Sequence, residues 1–134
     1  MNLIETFKYP DKTIETIISK IFFYGDKVFK VYKYEKFFFG DFTSPEFRKD
    51  FYIEDFSQNK LMAPEVYLAL RAVKKGGEED FYIEMKKFDD NNNLTNLLLQ
   101  ERIDKNQIEA IAKEMILRLK KLKESKREKY KDYF

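Results

Sequence analysis

The chain has 134 residues, 43% hydrophobic and 17% aromatic, enough material for the core of one compact domain. Its 26 Lys or Arg against 24 Asp or Glu leave a formal net charge of +2, so the chain as a whole does not read as a nucleic-acid binder. It contains no Cys and no His, which excludes disulfides, thiol chemistry, Cys/His zinc sites and every His-based triad.

The opening residues MNLIETFKYP lack a basic start and a long apolar run, and no apolar run is long enough to cross a bilayer. A cytoplasmic protein without a membrane partner is the expectation. Leu3, Ile4 and Phe7 stand at helical spacing before the turn signal Tyr9-Pro10-Asp11, which predicts a short helix leading into a sheet. From Ile17 to Lys33 two β-branched and aromatic runs flank Gly25-Asp26, the pattern of a β-hairpin. In its second strand Val28, Lys30 and Tyr32 share one face, so a lysine sits within an otherwise apolar strand. Such a lysine either snorkels to solvent from a sheet edge or is aimed at a phosphate. The aromatic run Glu35 to Phe42 is expected to pack back on the domain rather than to form a base-stacking platform.

Thr43-Ser44-Pro45-Glu46 has the T-x-x-E form of a capping box, with proline in the first turn. A helix is predicted from there to Leu61 or Met62, with Phe47, Phe51 and either Glu54 or Asp55 near one face. Glu65 to Lys74, the Gly76-Gly77 turn and Phe81 to Phe88 read as a second hairpin. After a polar break at Asp89 to Asn93 and an apolar segment, Leu94 to Leu99, Asp104 caps a long helix. Ile108, Ile111, Ala112, Met115, Leu119 and Leu122 form its stripe. Residues 1–124 are expected to form the folded part and 125–134 a charged, flexible tail. The fold class expected is α+β: a twisted, mainly antiparallel sheet, one crossing helix and a C-terminal helical segment.

Strand, strand, helix, strand, strand is also the order of a kinase-like small lobe. There a strand lysine holds nucleotide phosphates, and a helix carboxylate fixes the direction of its long stem. Lys30 is followed by Glu54 and Asp55 on the capped helix, and Val28 puts an apolar side chain on the lysine's face where an adenine would need a roof. Several runs resemble one family in order and spacing: Glu15 to Ser19, Gly25-Asp26 with Phe29-Lys30-Val31, Phe39 to Thr43, Phe51 to Asn59, Ala63 to Leu68, and Met85 to Phe88. The family is the uncharacterised kinases related to aminoglycoside phosphotransferases. The resemblance covers roughly residues 3–122, and Asn59-x-x-x-Ala63-Pro64-Glu65-x-Tyr67-Leu68 is its most specific block.

The resemblance implies that Lys30 contacts phosphate and that Asp55 or Glu54 is its partner, Asp55 fitting better on the count back from Asn59. It implies that Met85, Lys86 and Lys87 belong to the hinge meeting adenine through its backbone, and that Ser19 lies near the nucleotide, ATP with Mg²⁺. The family's usual His and Trp are replaced by Ile17 and Lys20. Its catalytic lobe carries an H-x-D loop and a metal-binding Asp, and no residue here can be assigned as catalytic base or as that metal ligand. The expectation is a stand-alone or degenerate kinase-like small lobe, a pseudokinase that binds ATP and docks a separately encoded large lobe or a second copy. It is not expected to be competent for phosphoryl transfer alone. The alternative is a basic module that binds nucleic acid or an acidic protein. From Lys113 to Asp132 nine Lys or Arg face four Asp or Glu, although such runs commonly form a solvated helix face.

Overall fold

The computed structural model describes residues 2–130, apart from the side chains of Asp90 and of residues 126–130. The architecture is α+β, with a five-stranded antiparallel sheet, one helix lying across it and a C-terminal helix. Two compact units divide between Lys87 and Phe88.

In the first unit a 3-10 turn at Leu3–Thr6 precedes strands β1 (Lys12–Glu15), β2 (Ser19–Tyr24) and β3 (Lys27–Tyr32). A two-stranded hairpin follows, β4 (Lys36–Phe37) and β5 (Gly40–Asp41), then helix α1 (Pro45–Met62) and strands β6 (Tyr67–Lys75) and β7 (Glu78–Lys86). The sheet order is β1-β2-β3-β7-β6. Helix α1 therefore connects two hairpins that meet along β3 and β7, where Lys30 stands opposite Ile83 and Val28 opposite Met85.

The predicted hairpins and α1 stand where the sequence put them, with β1 added at the edge. All four residues of β1 are exposed, so the strand carries no apolar alternation by which it could be read. Short, charged edge strands of this kind resist further pairing. The cap of α1 also shifts by one residue. Ser44, with extended backbone, accepts from the Phe47 amide, and Pro45 takes the first helical position. The Thr43 hydroxyl and amide both donate to Asp41 Oδ1 instead, which holds that carboxyl below the usual carboxylate range.

Alternation in β3 and β7 sends side chains to two cores. Tyr32, Phe42, Tyr52, Phe81 and Ile83 form the core under α1, with Phe47, Phe51 and Met85 packed against it. On the opposite face Leu3, Phe22 and Val31 are buried, with Ile4, Phe7, Val73 and Tyr82 around them, and the Phe7 ring stacks on Phe22 at 4.9 Å. Of the Phe triplet, Phe37 packs on the first core, Phe39 is 45% exposed and Phe38, at the hairpin tip, is fully exposed. The expectation that the run packs back thus holds for Phe37 and fails for Phe38.

The second unit holds helix α2 (Leu94–Leu99), capped by Asn93, and helix α3 (Lys105–Tyr130). Asp104 Oδ1 accepts from the Gln107 amide at 2.8 Å while Gln107 Oε1 accepts from the Asp104 amide at 2.9 Å. This reciprocal pair fixes the start of α3 where the sequence places it. Ile108, Ile111, Met115 and Leu119 of the expected stripe are exposed. Helix α3 continues to Tyr130; the rest of the expected tail, 131–134, lies outside the described residues.

Candidate functional site

Strand β3 and helix α1 together build the only constellation that the sequence singled out as chemical. Lys30 Nζ lies 3.3 Å from Asp55 Oδ2, and both side chains are partly accessible. The ammonium also sits 5.1 Å from the centre of the Tyr32 ring, where the ring's negative face attracts a cation. Of the two candidate carboxylates Asp55 is the one at the lysine, whereas Glu54 lies one position around the helix and accepts from Gln58 Nε2 at 3.0 Å.

Asp55 has further partners. The Tyr32 hydroxyl donates to Oδ2, and Asn59 Nδ2 donates to Oδ1 at 2.9 Å and to the Asp55 carbonyl at 2.9 Å. Asn59 is one turn further along α1, so the amide reaches back naturally. The carboxylate is thereby bonded at both oxygens, a charge-assisted arrangement in a half-buried setting.

The other expected positions are distributed as follows. Val28 is buried on the face of Lys30, opposite Phe23 and Met85 in the sheet register. Met85 is half-buried against the α1 core. Lys86 and Lys87 are exposed, and the Lys86 amide donates to the Val66 carbonyl at 2.8 Å. Ser19 is 1% exposed and its hydroxyl lies 2.6 Å from that of Thr16. Together with the Ser19 amide, which donates to Thr16 Oγ1 at 2.9 Å, this closes the β1–β2 connection into a tight turn. The turn carries Ile17 outward at 80% exposure. Beside it Lys33 Nζ meets Glu15 Oε1 at 2.7 Å, which holds the Glu15 carboxyl below the usual range. Ile17, Ile18, Phe38 and Phe39 line an open cleft of about 940 Å³ next to this pair.

Sequence reasoning missed the buried pair that organises the site. Arg48 Nε donates to Asp80 Oδ1 at 2.6 Å and Nη2 to Asp80 Oδ2 at 3.1 Å. The remaining donors reach the carbonyls of Tyr32 (2.6 Å), Lys33 (3.0 Å) and Phe42 (3.3 Å). An available signal was the placement of Arg48 four residues before Tyr52 and one turn from Phe51, on the inward stripe of a helix otherwise lined with aromatics. An arginine there must have a buried acceptor.

Burial acts on the phenols around the site. It pushes the Tyr32 hydroxyl far above its ordinary value, with the Asp55 hydrogen bond and charge adding to the effect. It also raises Tyr52, against the pull of Arg48, and Tyr67, to which Asp55 contributes. In the unfolded chain these phenols ionise near their ordinary value of 10.0; in the folded chain burial holds their protons to higher pH. A raised folded value contributes stability that is complete below that pH and is lost as pH rises above it. Alkaline titration should therefore show a fraction of the tyrosinate absorbance appearing only together with the loss of far-UV circular dichroism. Tyrosinate absorbance that completes while the dichroism is intact would contradict this.

Comparison with protein-family profiles, curated proteins and solved structures finds no match to this chain.

Proposed function

We propose that the first unit is a kinase-like small lobe that binds the phosphates of ATP through Lys30 and docks a partner, without performing phosphoryl transfer on its own. The observation that carries this reading is the pairing of Lys30 on β3 with Asp55 on the helix between the two hairpins. Phosphoryl transfer depends on positioning charge against phosphate, and a lysine fixed by a helix carboxylate supplies that. The backbone of Met85 to Lys87, at the end of β7, is where the base would bind. Magnesium would be carried on the nucleotide's own phosphates, as is usual for this ion. The partner would be a separately encoded large lobe or a second copy. Support comes from the apolar cleft around Ile17 and Phe38. No described helix is long and apolar enough to cross a membrane.

A thermal-shift titration with ATP and Mg²⁺ on wild type and Lys30→Ala tests the reading. Ligand in about hundredfold excess over its Kd adds roughly 2.7 kcal/mol to stability, a rise of several degrees for a domain of this size. The shift is expected in wild type and should largely vanish in the variant. No shift in wild type at millimolar nucleotide would sink the ATP reading and leave a degenerate lobe kept for protein contact; the alternative is a basic module acting through α3. That alternative predicts nucleic-acid binding that weakens steeply with salt.

A further inference from the structure

The Lys30–Asp55 pair is the outer, half-buried end of a chain of contacts that begins in the buried core. Tyr32, fully buried, is gripped along its whole length. Its amide donates to its acceptor, the Tyr52 hydroxyl, at 2.8 Å, and its carbonyl accepts from Arg48 Nη2 at 2.6 Å. Its ring packs against Tyr52 at 4.5 Å. Its hydroxyl ends on the same Asp55 oxygen that meets Lys30. Asn59 binds the other oxygen.

We infer that Tyr32 is a positioning residue for Lys30: its hydroxyl, with the Asn59 amide, fixes the Asp55 carboxylate independently of the lysine, and its ring carries the ammonium. The physical consequence concerns what happens when phosphate arrives. In a simple ion pair, drawing the lysine toward an anion strips the carboxylate of its only partner, and a half-buried carboxylate left unpaired is costly. Here Asp55 keeps two donors, so Lys30 can turn toward phosphate while the carboxylate stays in place. A lysine stem has enough rotamer freedom to wander when its anchor moves, and misplacement of a positioning charge is reflected in phosphate affinity. Tyr32 thus transmits the rigidity of the core to the one cation the proposed site depends on. In its nucleotide arm this inference rests on the ATP reading above; in its structural arm it does not.

The test uses the full chain and the variant Tyr32→Phe, which keeps the ring and removes only the hydroxyl. Two readouts are taken. The first is the Lys30 side-chain ammonium signal in ¹H–¹⁵N spectra without ligand, expected as an ordered resonance in wild type and broadened or lost in the variant. The second is the affinity for MgATP beside that for adenosine, which has no phosphate. MgATP binding should weaken about fivefold or more in the variant while adenosine binding is unchanged. An unchanged ammonium signal overturns the inference, and so does an equal weakening of both ligands, which a merely structural hydroxyl would produce. If wild type binds neither ligand, the ATP reading fails and the ammonium signal alone decides the inference. Should Tyr32→Phe not fold, Asn59→Ala removes the other donor to the same carboxylate, and the same two readouts apply.

Discussion

Arg48→Met should bring the domain to the edge of unfolding. The guanidinium is 4% exposed and the Asp80 side chain 1% exposed, so neither charge has water to fall back on. Asp80 Oδ1 also accepts from the Phe81 amide at 2.8 Å, but one neutral donor cannot replace an arginine. Removing one partner of a buried, hydrogen-bonded ion pair costs about 3–5 kcal/mol, against a total stability on the order of 5–15 kcal/mol for a domain. Methionine fills much of the arginine stem's volume, so the loss reports charge and hydrogen bonds rather than a cavity. Urea denaturation followed by far-UV circular dichroism would show the midpoint collapse. The double variant Arg48→Met/Asp80→Leu should recover part of the loss, since the orphaned carboxylate is gone. It should not recover all of it, because the carbonyls of Tyr32, Lys33 and Phe42 still lack their donors. A single variant within about 1 kcal/mol of wild type would show that the pair is solvated in solution, at odds with the burial described.

Phe42→Ala should cost nearly as much, for a different reason. Phe42 is fully buried and its ring contacts those of Phe51 at 4.7 Å, Phe47 at 5.2 Å, Phe37 at 5.4 Å and Tyr32 at 5.5 Å. It thus joins α1, the β4–β5 hairpin and β3 in one place. Truncating a buried phenylalanine costs about 3–5 kcal/mol, and more when the walls cannot collapse. Collapse is hindered here because Gly40 already lies against the Phe47 ring: a Cβ at position 40 would sit 2.1 Å from Phe47 Cζ. Phe38→Ser is the control in the same experiment. Phe38 is fully exposed, and its loss should change stability by less than about 0.5 kcal/mol. Equal effects at the two positions would contradict the assignment of the hairpin tip to the surface.

These two expectations differ in how far the sequence anticipates them. The hairpin around Gly25-Asp26, the helix after Thr43-Ser44-Pro45 and the second hairpin around Gly76-Gly77 are local patterns, and the chain folds as those patterns read but for the one-residue shift of the cap to Ser44. The meeting of Lys30 with a carboxylate of α1 was legible only through the likeness to a kinase small lobe; local patterns fix the face of each element but not that the two faces meet. The choice of Asp55 over Glu54 came only from the resemblance, by the count back from Asn59, and Asp55 is the one that meets Lys30; the helical pattern alone leaves it open, since adjacent residues point about 100° apart and the helix's rotation on the sheet decides. That rotation is set by Arg48, Tyr52 and Asp80, and Asp80 comes from a strand remote in sequence. Strand β1 was hidden for the opposite reason: it buries nothing, so burial left no trace in its residue types. The Tyr32 hydroxyl was invisible because its partner depends on the same helix rotation.

The sheet order also bears on how the chain assembles. Its two hairpins, β2–β3 and β6–β7, are local and can close within microseconds. The seam between β3 and β7 joins residues far apart in sequence and encloses α1, so it carries the larger loop-closure entropy and is the natural slow step. Arg48 lies within the enclosed segment and makes its bonds to both sides of that seam, to the end of β3 and to Asp80 of β7. Because its bonds need both sides in place, Arg48→Met is expected to raise the unfolding rate more than it lowers the folding rate, which the two arms of a urea chevron would show.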